Sequence, residues 1–519
     1  MSDIQTPAMW ANAVNPVLSG FYPDPSVCRV DGDDGTWYYL VNSTFEYLPG
    51  LPVHRSRNLV DWEPVGHILD RPDQVDLTRV GDSGGMFAPT IRHDGTRFLA
   101  VCTLIGGAPG RSGNFIVTAD DAAGPWSDPV WWDVDGIDPS ILVDDDGRLW
   151  AHGTRLAPEP EWDQQTQVWV REVDRISLEP GDAEHIVWTG AVRGAVWAEG
   201  PHLYRRDGVV YLLAAEGGTG FNHAISVARA DSPIGPFVGN PANPVLTHRQ
   251  LGRRSPVINV GHADLVDAPD GTSWAVCLAS RLWNGSDLLG RETFLVDVQW
   301  ENGWPVFAPG EGRLSPTPRH PAPVAGPGEG VEAPTGYRAD DLSTSIAVRR
   351  HPSEIGVEDL GGGAFSLHAG DGLTAPLPAY IAKRITLVDA RVQVLLSAAE
   401  PGVRAGLALR YSSAAFVMMT VGDRIARVEI VAPDVMNESH DFDVSSNNGM
   451  LAFEIDGTRA TAIWHPTGGV AATLSHIDIS HLCAEVMDGF VGATYGAVAI
   501  GSTGGAIFAD LAEVAGSSA

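Results

Sequence analysis

The chain has 519 residues, more than one ordinary domain holds, so two or three domains are expected. Hydrophobic residues make up 44% and charged residues 19%, which suits a real core and does not suit a disordered chain. The 65 Asp and Glu outnumber the 34 Lys and Arg and leave a formal charge of −31, a field that repels phosphate backbones and argues against nucleic acid as a partner. At the start of the chain, Met1 to Ser26 show no basic stretch followed by an apolar one, so a cytoplasmic protein is the expectation. The four cysteines (Cys28, Cys102, Cys277, Cys483) are scattered, with no C-x-x-C pair. They read as buried free thiols in a reducing compartment, against the rival of a secreted protein whose leader is gone. No apolar run approaches the ~20 residues of a membrane span.

The first three-fifths of the chain repeats itself. A short segment ends in an Asp-Gly turn and an aromatic strand follows. The units begin with Tyr22-Pro-Asp-Pro-Ser26, Phe87-Ala-Pro-Thr90, Ile137-Asp-Pro-Ser140, Ala198-Glu-Gly-Pro-His202 and Gly261-His-Ala-Asp264. Their turns are Asp31-Gly32, Asp94-Gly95, Asp146-Gly147, Asp207-Gly208 and Asp270-Gly271. Aligned starts at residues 24, 88, 138, 199 and 262 leave room for four strands in each unit. Helical periodicity is nearly absent. Five radial sheets about one axis, a five-bladed β-propeller, account for the repeated strand order. A sandwich gives no repeat of about 60 residues.

Fifteen of the 16 tryptophans lie between Trp10 and Trp304. A Pro- and Gly-rich stretch then marks a linker. Beyond it, alternating runs such as Arg391-Val-Gln-Val-Leu-Leu396 predict a β-sandwich. The expected architecture is therefore all-β, with a propeller over residues 1–323, a linker over 324–336 and a sandwich over 337–519.

In a propeller the first strand of each blade lies nearest the axis, so aligned positions converge. Their occupants are Asp24, Ala88, Asp138, Glu199 and His262. Taken singly, Asp24 and Asp138 are ordinary loop aspartates before proline, and His262 is an ordinary structural histidine. Together they form a costly cluster of like charges, which points to use. Glycoside hydrolysis needs such a set: one protonated carboxyl to expel the leaving oxygen and one ionised carboxyl facing it.

The segments Phe21-Tyr-Pro-Asp-Pro-Ser26, Gly136-Ile-Asp-Pro-Ser140, Trp197-Ala-Glu-Gly-Pro-His-Leu-Tyr204 and Gly290-Arg-Glu-Thr-Phe294 resemble family-43 glycoside hydrolases. The match continues through Asn42 to His54, Arg57 to Trp62 and Gly261-His262, over residues 15 to 307. It looks like the branch of β-xylosidases with a C-terminal sandwich, and is weaker over the tail.

That resemblance implies a role for each matching residue. Asp24 matches the general base, Glu199 the general acid, and Asp138 the carboxylate that tunes and orients the acid. Arg291 matches an arginine that hydrogen-bonds the sugar; its plainer reading is a surface pair with Glu292. Phe45 matches an aromatic of the sugar pocket. His262 matches a histidine on the funnel floor, where some relatives hold a hydrated divalent cation, usually calcium. Lacking a set of oxygen ligands around it, His262 makes a thin metal site, and no cofactor is required. Phe87 stands where such relatives usually carry tryptophan, which bears on sugar preference more than on the reaction. Phe490, in Asp488-Gly-Phe-Val-Gly492, either closes the pocket from the second domain or belongs to the sandwich core.

The implied activity is exo-acting, inverting release of xylose from the non-reducing end of β-1,4-xylo-oligosaccharides in a bacterial cytoplasm. An α-L-arabinofuranosidase, or an enzyme with both activities, is the alternative. A non-catalytic glycan-binding propeller is the alternative of another class, and it predicts loss of at least one acid. Relatives with the sandwich often form dimers or tetramers, so a homo-oligomer is expected by resemblance.

Overall fold

The computed structural model describes residues 14–317, 342–433 and 437–516. The expected linker, 324–336, lies outside the described residues. Among the described residues the fold is nearly all strand, with one four-residue α-helix, Ala484–Met487.

Five antiparallel sheets succeed one another along the chain, and each begins with one of the aligned segments. Their innermost strands are Ser26–Gly32, Thr90–His93, Ile137–Val143, Glu199–Arg206 and Val257–Asp267. Each lies against the next, and the fifth lies against the first, which closes a ring of five blades. The start of the chain clasps the last blade, since the Asn15 side chain both donates to and accepts from the Leu295 backbone at 2.7 Å.

The hairpins follow local chemistry. Arg206 pairs with Val209 across Asp207-Gly208, whose φ values of 50° and 81° suit a two-residue turn with both residues left-handed. The first turn departs from expectation. The strand Ser26–Gly32 runs through Asp31-Gly32, and the reversal falls at Asp33-Asp34. Asp31 holds the ladder together there, because it accepts from Thr36 Oγ1 across the strands at 2.7 Å and from Arg29.

Polar groups from all five inner strands meet. Asp264 of blade five is fully buried. It accepts from Arg92 Nη1 at 2.8 Å and Nη2 at 3.0 Å, from Ser26 Oγ at 2.6 Å, from the Val27 amide at 2.9 Å and from the Tyr204 hydroxyl. Arg92 also reaches His202 Nδ1 at 3.3 Å, and that nitrogen lies 2.9 Å from Ser140 Oγ in blade three. The Arg92 charge and these hydrogen bonds outweigh burial and hold the Asp264 carboxyl well below the usual range.

The tail forms an eight-stranded and a seven-stranded sheet, the expected sandwich. The eight-stranded sheet is not built from the tail alone. Tyr47–Leu48, from the first blade's region, pairs antiparallel with Ile346–Val348 at its edge. One apolar cluster accordingly runs from Val392 and Phe453 in the sandwich to Phe21 and Phe45 in the propeller. Polar contacts bracket it: Asp82 accepts from Arg349 at 2.7 Å, Arg410 at 3.2 Å and the Ser413 amide at 2.9 Å.

Removing one partner of the axial pair strands a buried charge. Arg92→Met should destabilise the protein by about 3–5 kcal/mol in urea unfolding, and Arg92→Met with Asp264→Leu should recover most of that loss.

Candidate active site

The backbone turns left-handed where the aligned side chains leave the inner strands. The φ values are 51° at Asp24, 53° at Asp138, 53° at Gly200 beside Glu199, and 46° at His262. Register shifts fall between Ile137 and Ser140, between Glu199 and His202, and between Gly261 and Ala263. These bulges break the alternation of the strand and re-aim one side chain per blade. The strain costs about 1–3 kcal/mol at each non-glycine position, and the packed blades hold it in place. Gly200 is glycine for a second reason: a Cβ there would stand 2.7 Å from the His262 ring.

The side chains so aimed line a cavity of about 250 Å³. Asp24, Asp138, Glu199, Arg291, Phe45, Phe87, His262 and Phe490 all line it, so every expected site residue comes together. Asp24 is 5% exposed and carries the positive partner: Arg291 Nη1 donates to its Oδ1 at 3.0 Å, and Ser43 Oγ donates to its Oδ2 at 2.5 Å. Among the described residues Asp138 has no such cation within hydrogen-bonding distance, and its Oδ2 accepts the Gly200 amide at 3.1 Å. Burial, followed by the Asp24 charge, pushes the Asp138 carboxyl up to about 7. Glu199 is held well above the usual carboxylate range, by burial first and by the charges of Asp138 and Asp24 next. The cavity thus holds an arginine-paired acid on one side and, on the other, two carboxyls whose pKa values are raised.

Arg291 does not pair with its neighbour. Glu292 is taken by Arg281 through two bonds of 2.7 Å. Besides Asp24, Arg291 donates to Thr219 Oγ1 at 2.7 Å and to the Phe490 carbonyl at 3.1 Å. The last bond crosses from propeller to sandwich. Phe490 settles on the cavity, stacked on Phe45 at 5.6 Å between centroids and edge-on to Phe87 at 5.8 Å. Its amide donates to Ser83 Oγ at 3.0 Å. The structure therefore favours pocket closure over a place inside the sandwich core.

Trp197, Thr219 and His223 also line the cavity and were not singled out in the sequence as site residues. Trp197 stands in a quoted motif, and Gly217-Gly218-Thr219 is a loop signal at the end of a strand. His223 lies just ahead of the third strand of its blade, as Arg291 does in blade five, outside the aligned first-strand segments.

Among the described residues, protein side chains around His262 do not by themselves supply the oxygen shell of a calcium ion. Calcium takes six to eight oxygen ligands. His262 has instead the His202 ring at 6.1 Å, and among the described residues no three His, Cys, Asp or Glu side chains are grouped to hold a metal. Burial lowers the His262 pKa, so the ring stays neutral.

This is the fold and acid cluster of a glycosidase. The sequence profile of glycosyl hydrolases family 43 matches residues 13–305, and the chain belongs to that family. Residues 346–514 match the beta xylosidase C-terminal concanavalin A-like domain. A Butyrivibrio fibrisolvens protein named xylosidase/arabinosidase is 50% identical over 309 residues, 58% of this chain and 58% of that protein. A non-reducing end α-L-arabinofuranosidase from Bacteroides ovatus is 43% identical over 302 residues, 56% of this chain and 52% of that protein. The chain spans little more than half the length of these curated relatives. A solved xylan β-1,4-xylosidase from Bacillus halodurans superposes with a TM-score of 0.84 at 26% identity, over 95% of this chain and 99% of the other.

Raised carboxyl pKa values tie stability to pH. A buried acid whose folded pKa lies above its unfolded value lends stability below the ordinary carboxylate range. That stability is lost as pH rises through the folded value, here about 7 for Asp138. The thermal midpoint should therefore fall between about pH 5 and pH 8, and Asp138→Asn should flatten the fall. The same variant removes a charge that raises Glu199, so the alkaline limb of kcat/KM should move down by about one pH unit. A limb that stays in place would detach Asp138 from the acid.

Proposed function

We propose that the protein is an exo-acting, inverting glycosidase that releases xylose from the non-reducing end of β-1,4-xylo-oligosaccharides. The observation that carries this reading is the cavity itself. Its volume of about 250 Å³ falls below the ~300–1,000 Å³ of drug-sized ligand sites and suits one pentose. Phe490 caps it from the second domain, which favours removal of a terminal sugar over cleavage within a chain.

In this reading Glu199 holds the proton. It gives that proton to the glycosidic oxygen as the bond from the anomeric carbon to that oxygen breaks. Asp24, ionised and paired with Arg291, takes a proton from water as the water oxygen attacks the anomeric carbon from the opposite face. Asp138 keeps the Glu199 pKa high and, through the Gly200 amide, fixes the backbone that carries it. Arg291 binds the sugar and orients Asp24. Phe45, Phe87 and Phe490 supply its apolar walls, and His262 the floor. No cofactor enters these steps.

A second reading, α-L-arabinofuranoside cleavage by the same residues, is favoured by Phe87. A phenyl ring in place of the larger indole leaves a wider pocket wall for a furanose. The name xylosidase/arabinosidase borne by the B. fibrisolvens relative supports the same breadth.

Asp24→Ala and Glu199→Ala should each lower kcat by about 10²–10⁴-fold on 4-nitrophenyl β-D-xyloside. Proton NMR of early product from 4-nitrophenyl β-D-xyloside, whose only sugar product is the released xylose, should show the α-anomer first; initial β-xylose would overturn inversion. Parallel rates on nitrophenyl α-L-arabinofuranoside rank the two substrates. A protein that binds xylose but cleaves neither glycoside would be a glycan-binding propeller instead.

A further inference from the structure

His223 lines the cavity and has no part in the proton transfers above. It lies just ahead of the blade-four strand Ala224–Ala230. Its Nδ1 is 2.9 Å from the Asn259 carbonyl oxygen. A carbonyl oxygen only accepts, so Nδ1 carries the hydrogen. The other nitrogen of a neutral ring is then an acceptor. The ring does stay neutral. Burial pushes its pKa down to about 3, and the groups facing it are His262, Arg291 and Asp24, of which only Asp24 opposes that shift.

The ring is also held still. Its residue's carbonyl accepts from Thr247 Oγ1 at 2.7 Å, and its amide donates to the Gly220 carbonyl at 2.9 Å. Gly261 lies so close that a Cβ there would stand 2.4 Å from Nε2. A pentose brings several hydroxyl hydrogens into the cavity, and each needs an acceptor once water is displaced. Asp24 and Glu199 are committed to proton transfer, and Asp138 Oδ2 already accepts the Gly200 amide. Arg291 can only donate.

We propose that His223 is a specificity-determining residue: its neutral imidazole, fixed as the Nδ1–H tautomer by the Asn259 carbonyl, accepts a hydrogen bond at Nε2 from one hydroxyl of the bound pentose. The proposal rests on the glycosidase reading and adds the group that recognises a sugar hydroxyl.

Two substitutions separate the two nitrogens. His223→Asn keeps a donor for the Asn259 carbonyl and loses the outer acceptor. His223→Gln can place an acceptor where Nε2 stood. On nitrophenyl β-D-xyloside, His223→Asn should lower kcat/KM by about 10–100-fold and His223→Gln by less. On the monodeoxy xyloside that lacks the recognised hydroxyl, the His223→Asn deficit should shrink to under about threefold. Equal deficits on every monodeoxy xyloside would overturn the proposal. Nitrogen-15 NMR of the wild-type protein provides a test free of folding defects. His223 should show a protonated Nδ1 and a bare Nε2 from pH 5 to 8, and the Nε2 signal should move on adding xylose. A protonated Nε2, or a signal indifferent to xylose, would refute it. Absence of hydrolysis in wild type would count against the glycosidase reading, while the xylose titration would still decide the role of His223.

Discussion

Asp264 gathers donors from three other blades, and through Arg92 and His202 the fourth joins them. Taking a carboxylate out of water costs several kcal/mol, and only a partner as well placed as Arg92, with the extra donors, offsets that cost. The consequence lies a step away along each strand. Asp24 is two residues before Ser26, Asp138 two before Ser140, Glu199 three before His202 and His262 two before Asp264. Bulges between Ile137 and Ser140, Glu199 and His202, and Gly261 and Ala263 set the direction of the rim side chains relative to the clamp. The same inner strands thus present an axial clamp and, at its rim, a ring of functional groups. Charge repulsion and left-handed backbone at that rim would otherwise relax by moving the strands apart. The clamp denies them that movement.

The second domain belongs to the site through a single line of hydrogen bonds. The buried Glu46 carboxylate accepts the Ser83 amide, Ser83 Oγ accepts the Phe490 amide, the Phe490 carbonyl accepts Arg291, and Arg291 donates to Asp24. The pairing of Tyr47–Leu48 with Ile346–Val348 keeps Glu46 and Phe45 in register with the sandwich. Gly492 shows how close the approach is: a Cβ there would stand 2.6 Å from the Leu289 carbonyl oxygen. A lid that could swing would leave Arg291 short of an acceptor, since its Nε already has none. The geometry is that of a fixed wall.

What was legible in the sequence is what the blades repeat. Asp24, Asp138, Glu199 and His262 stood out because four blades place a functional side chain at the same point, and because turn chemistry at Asp207-Gly208 and its counterparts is local. Arg291 and Phe490 were legible only through motif resemblance. The axial clamp was not, since Arg92 and Asp264 are 172 residues apart and nothing in the repeat pairs them. The strand Tyr47–Leu48 was read simply as part of a motif, because its partner lies some 300 residues downstream. His223 was missed because it lies just ahead of a third strand, a position that an alignment of first strands does not compare.

The arginines also acquire a structural account. With one lysine in the chain, almost every cation is a guanidinium. At four places, three of them buried and Arg92 partly buried, that choice matters. Arg92 serves Asp264, Ser26, Val27 and His202; Arg291 serves Asp24, Thr219 and Phe490; Arg410 serves Tyr47 and Asp82; Arg349 serves Asp82 and Pro376. Each joins two or more separate segments through a planar fork of donors. An ammonium has three donors at one point and sheds its hydration less readily, so it could not span such sites. Among the described buried residues acids outnumber Arg and Lys as well, and each of these few cations ties together several segments of the fold.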